Sequence, residues 1–114
     1  MPTSDDQTTY DAHQKIVRFQ TAGDILSTTA DTLRAALEDA LHDPCAQAGF
    51  FDCFEIDLRS AHMVDSVGLN LLVWLWRSIT ARGGKLRLKI SSPNIERTFR
   101  FTRFCERVEV QLER

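Results

Sequence analysis

The 114-residue chain is 43% hydrophobic and 26% charged and carries a net charge of −2. That length fits one domain, large enough to form a core without metal or disulfide support. No apolar run is long enough to span a bilayer, and the polar start MPTSDDQTTYDAHQ lacks the apolar stretch of a secretory signal. A cytoplasmic protein with no direct membrane insertion is expected.

In chain order, residues 1–7 read as a disordered tail and residues 8–114 as the folded domain. KIVRFQTAG alternates in character and closes on Gly23, which predicts a strand, paired with a short one near Thr8–Ala12. STTADTLRAALEDALHDP follows as a helix. Its Ser/Thr residues offer an N-cap, Asp31 suits the first turn, Leu33, Leu37 and Leu41 recur every four residues, and Pro44 comes just past the end. CFEIDL is a second strong strand, with Phe54, Ile56 and Leu58 on one face and Cys53, Glu55 and Asp57 on the other. A helix after Ser66 runs to the Gly83-Gly84 stop. KLRLKIS is a strand, SPNIERTFRF a short helix with Ile95 and Phe99 four apart, and RVEVQLE a last strand. The order β(β)αβαβαβ argues for an α/β domain: a mixed, mostly parallel sheet of four to five strands with about four helices and right-handed crossovers.

Two compositional features bear on function. Residues 1–65 hold 4 Lys/Arg and 12 Asp/Glu, whereas residues 66–114 hold 10 and 4. Such an asymmetry marks either an acidic or nucleic-acid partner or two halves whose charges mix on one surface; with no compact basic block, mixing is the expectation and nucleic acid is not an expected partner. Cys45, Cys53 and Cys105 form no C-x-x-C pair and read as reduced, mostly buried thiols. His13, His42 and His62 fit no local metal motif, so neither a metal site nor a cofactor is expected.

The stretch HMVDSVGLNLLVWLWRSITARGG concentrates the chemistry. Ser66 stands where strand-like sequence turns into helix. A hydroxyl there can cap the helix, worth about 1 kcal/mol, and can also carry a phosphate facing the positive helix end. DSVG is not a G-x-S-x-G elbow, no base pairs with the serine, and ARGGK reads as a helix stop, so no enzymatic activity is expected. At 100° per residue Leu69, Leu72, Val73, Trp76 and Ile79 share one face, which is expected to be the core face. Val67, Leu71 and Trp74 fall on another. That stripe is either covered by a neighbouring element or exposed beside the serine as a partner site.

These residues carry a family resemblance. DSVGLNLLVWLWRSITARGGKL resembles the Asp-Ser-x-Gly-Leu segment, helix and Gly-Gly turn of STAS domains, and within them is similar to bacterial anti-sigma factor antagonists. GDILSTTADTLRAAL resembles the family's first crossover helix, and SPNIERTFRFTRF its Ser-Pro-x-Ile/Val-x-Arg segment. The resemblance covers about residues 8 to 112. It implies that Ser66, after Asp65 and before Gly68 and Leu69, is phosphorylated by a partner serine kinase of the GHKL type that is also the anti-sigma factor. Phosphorylation would release that partner, and a PP2C-type phosphatase would reset the pair. The expected partner-binding residues are Asp65, Ser66, Val67, Asn70, Leu71 and Trp74. The chain departs from the family pattern at Leu26, where an acid is common, at Val67, Asn70 and Trp74, where small residues are common, and at Arg103, where glycine is usual. The alternative function is a non-switching accessory subunit of a membrane lipid ABC transporter, docked through the same helix. A third reading, nucleic-acid binding through Arg97, Arg100, Arg103 and Arg107, is weakened by their drift around a helix into a strand.

Overall fold

The computed structural model describes residues 7–11, 13–21, 23–42 and 51–113. Most of the expected tail lies outside them, as do Ala12, Pro44 and Cys45. The elements are β1 (Gln7–Asp11), β2 (Ile16–Gln20), α1 (Ala30–Leu41), β3 (Cys53–Asp57), α2 (Ser66–Ala81), β4 (Lys85–Ile90), α3 (Pro93–Phe101), a 3-10 turn (Phe104–Glu106) and β5 (Glu109–Leu112). The strands lie in chain order across one five-stranded sheet. β1 runs antiparallel to β2, and the other three pairings are parallel. The three helices of the described residues share one core cluster with the sheet, as right-handed crossovers between consecutive parallel neighbours would place them.

One face of the sheet holds the core. Val17, Phe19, Phe54, Ile56, Leu86, Leu88 and Ile90 meet Leu33, Leu37 and Leu41 of α1 and Ile95 and Phe99 of α3 in a single buried cluster. The four-residue leucine spacing of α1 and the Ile95–Phe99 pair therefore pack as expected. Among the described residues the opposite face has no helical cover and carries charged side chains. Arg18, Glu55, Arg87 and Glu109 are register partners across β2 to β5, alternating in sign. The Glu55 side chain, 3% exposed, lies 3.5 Å from Arg18, 3.1 Å from Arg87 and 3.3 Å from Lys89. Opposite charges facing each other across strands stabilise the pairing, and the register is held by the alternation itself, since a one-residue slip would turn Phe54 and Ile56 out of the core. Glu55 comes from the acidic half of the chain and Arg87 and Lys89 from the basic half, so here the charges do mix.

The structure corrects the expected helical wheel of α2. Its buried residues are Gly68, Leu71, Leu72, Leu75 and Ile79. Leu69, Val73 and Trp76, expected on the core face, are only half-buried. The face is rotated because α2 touches three things: the sheet beneath it, α1 on one side and the turn after α3 on the other. Leu71, expected in a partner site, is instead a core residue at 6% exposure. Trp74 is half-buried on the α1 side, with the Arg34 guanidinium 4.6 Å from its ring centroid. Trp76 lies on the far side, with Arg107 5.5 Å from its ring centroid. Among the cysteines, Cys53 is buried, and burial pushes its thiol up; Cys105 is exposed, against expectation.

Three turns among the described residues use left-handed backbone, the first at Lys15, φ 57°, between β1 and β2. Gly83 ends α2 at φ 81°, where its sequence position predicted a left-handed stop. Arg103 follows α3 at φ 62°, at the place where the resemblance leads one to expect glycine.

Candidate functional site

The site forms where the segment before α1 meets the segment before α2. Ile25 and Val64 make a short parallel bridge. The Ile25 N–H donates to the Met63 carbonyl at 3.0 Å, and the Asp65 N–H donates to the Ile25 carbonyl at 3.1 Å. Asp24 Oδ1 accepts from the N–H groups of His62, at 2.7 Å, and Met63, at 3.3 Å. From the other side the Ser92 hydroxyl donates to the His62 carbonyl at 3.2 Å. The chain leading to Ser66 is thus held by β-bridge, side-chain and loop contacts before the helix begins.

Asp65, in extended conformation, is the N-cap of α2. Its Oδ1 accepts from the Gly68 N–H and its Oδ2 from the Ser27 N–H, both at 2.8 Å. One carboxylate therefore caps α2 and ties it to the loop before α1. These bonds, that from Gly68 first and that from Ser27 next, hold the Asp65 carboxyl below its ordinary value. Ser66 is then the first helical residue and not the cap, which corrects the capping role open to it from sequence. Gly68 is needed for packing: a Cβ there would collide with the Ile25 carbonyl oxygen and lie 2.8 Å from Ile25 Cγ2. The Asp-Ser-x-Gly spacing thus has a local reason. Asp caps, Ser sits one position on, and Gly lets the helix close against the Ile25 backbone.

Ser66 and Asn70 are exposed, one helical turn apart. Val67 is 44% exposed and Met63 is 55% exposed. Among the described residues they are two of three exposed large hydrophobics, the third being Phe101. Of the six expected binding residues, the structure brings Ser66, Val67 and Asn70 to the surface together. It places Asp65 half-buried as their brace, Trp74 half-buried against α1, and Leu71 inside. Met63 was missed, although an apolar residue three positions before the serine in a loop was a readable signal. A phosphate on the Ser66 hydroxyl would face the positive end of a 16-residue helix and so would not oppose the fold.

The STAS domain model matches residues 7–114. The chain belongs to the STAS domain family. An anti-sigma factor antagonist from Mycobacterium paratuberculosis superposes on this STAS domain with a TM-score of 0.72, covering 96% of this chain and 88% of that one at 19% identity. The Bacillus cell fate determinant SpoIIAA in its phosphorylated form superposes with a TM-score of 0.64, covering 95% and 92% at 18% identity. A sulfate transporter family protein from Wolinella succinogenes gives 0.69, covering 85% and 76% at 20% identity. At these identities the likeness is one of fold. No curated protein matches the sequence. Among the described residues no helix is long and apolar enough to cross a membrane.

Proposed function

We propose that this STAS domain is a phospho-regulated binding module of the anti-sigma factor antagonist type. It binds a serine kinase of the GHKL class that doubles as an anti-sigma factor, in the cytoplasm. The kinase transfers the γ-phosphoryl group of ATP to the Ser66 hydroxyl, with ADP and a proton as the other products. A PP2C-type phosphatase hydrolyses the phosphoserine and restores binding. The observation that carries this reading is the setting of Ser66: exposed, on a braced turn, and flanked by the exposed apolar side chains of Met63 and Val67. An apolar patch must be dried when a partner docks, and a phosphate of charge about −1.5 to −2 at its centre resists drying. The same phosphate suits the helix N-terminus, so binding is lost while the fold is kept. The fold shared with an anti-sigma factor antagonist and with a protein solved in a phosphorylated form supports the reading.

The test is to incubate the purified chain with a GHKL-class serine kinase of the same organism and ATP and map the product by mass spectrometry. Phosphate on Ser66 is expected. Phosphate confined to Ser91, Ser92 or a threonine, or none at all beside a stable complex, would contradict the switch; the latter would favour the transporter-accessory alternative.

A further inference from the structure

A second surface lies beside the serine. α2 and the turn after α3 enclose an open groove of about 470 Å³. Its floor is apolar, formed by Leu69, Val73, Trp76 and Phe104, and its charged lining residues are Arg77 and Arg107. Among the described residues neither arginine pairs with a carboxylate. The chain's acidic and basic halves neutralise each other on the open sheet face, but the groove is built wholly from the basic half, residues 69 to 107, and stays cationic. Phe101, 88% exposed, directly precedes Thr102 at the groove wall.

We propose that this groove docks an acidic segment of the protein partner, anchored by apolar side chains. Charge complementarity selects the occupant. Carboxylates would meet Arg77 and Arg107, and leucine- or phenylalanine-sized side chains would cover Leu69, Val73 and Trp76. Tryptophan and arginine are the residue types that most often dominate a binding interface. A nucleic acid, held through its phosphates, would not need the apolar floor of Leu69, Val73 and Phe104. The groove is also coupled to the serine by position. Leu69 and Asn70, which line it, stand three and four residues after Ser66, on the same helix face one turn away. A phosphate on Ser66 would set negative charge at the mouth of a groove that receives carboxylates, and would repel its occupant. This coupling rests on the switch reading above; the groove itself does not.

To test it, a random-peptide phage library is panned on the immobilised full-length chain. The consensus peptide is then measured by fluorescence anisotropy against wild type, Arg77→Glu/Arg107→Glu, Asn70→Glu and Ser66→Asp. A consensus rich in Asp or Glu with Leu or Phe is expected. Its affinity should fall about tenfold or more in the double variant and in Asn70→Glu, an exposed substitution that leaves the core untouched. Circular dichroism verifies that each variant is folded. A neutral or basic consensus, or one bound equally by the double variant and by Asn70→Glu, would overturn the proposal. So would a nucleotide or oligonucleotide that displaces the peptide from wild type and depends on the same arginines. Unchanged affinity in Ser66→Asp, with loss in the groove variants, would uphold the groove and contradict its coupling to the serine.

Discussion

The Ile25 carbonyl carbon lies 2.9 Å from the point where a side chain on Gly68 would begin. The loop before α1 and the first turn of α2 are therefore in contact through backbone, with no room for a methyl group. Because Ile25 also bonds the Met63 and Asp65 backbones, the position of Ser66 is set by this contact. Gly68→Ala should lower stability by about 3 kcal/mol, at the upper end for overpacking, because the obstacle is backbone and cannot rotate away. Urea unfolding measures it; a change under about 0.5 kcal/mol would mean that the two segments part easily.

Asp65 gives the domain an acid sensitivity of known sign. Its carboxyl titrates below the ordinary value of 3.8 in the folded state, so the ionised form favours folding. That contribution is present above about pH 4 and is lost as pH falls through the folded pKa. Asp65→Ala should therefore melt at a lower temperature than wild type near neutral pH. The gap should narrow as pH drops below 4. A gap constant from pH 7 to pH 3 would show that the bonds from Gly68 and Ser27 do not depend on charge.

The two tryptophans should behave alike and unlike a core residue. Leu75 is fully buried, so Leu75→Ala should cost about 3 kcal/mol. Trp74 and Trp76 are each half-buried with an arginine over the ring. Trp74→Ala and Trp76→Ala should each cost less than Leu75→Ala, and Trp76→Ala should in addition weaken the groove-binding peptide. Thermal or urea melts of the three variants decide it.

Arg103 holds a left-handed conformation, at φ 62°, that glycine adopts without steric cost. Arg103→Gly should stabilise the domain by about 0.5–1 kcal/mol, the relief of the strain outweighing the extra freedom of glycine in the unfolded chain. A loss of stability would mean that the arginine side chain makes contacts worth more than the strain.

The order of elements along the chain was legible because the strands alternate every two residues and α2 ends at a clear glycine stop. β3 shows both faces of the signal: Phe54 and Ile56 in the core, Glu55 on the charged face. The Asp-Ser-x-Gly motif located the site for the same reason that it folds, since each residue answers a local geometric demand. α2 was harder. It is apolar around most of its circumference, because sheet, α1 and the turn after α3 each claim a side, and a single 100° wheel cannot say which claim wins. On that account Leu71 lies in the interior and Trp76 is only half-buried. The groove was not legible at all. It joins Trp76 to Phe104 and Arg107 across 28 or more positions, through a 3-10 turn with no periodic signature.

The central claim is that a phosphate on Ser66 breaks a complex without breaking the fold. Calorimetric titration of the proposed partner kinase with the unphosphorylated domain and with the domain phosphorylated at Ser66 tests it directly, each form first confirmed as folded by its thermal melt. A switch at Ser66 predicts equal folding and an affinity at least about tenfold weaker for the phosphorylated form, a difference of about 1.4 kcal/mol. Equal affinity of the two folded forms would contradict it.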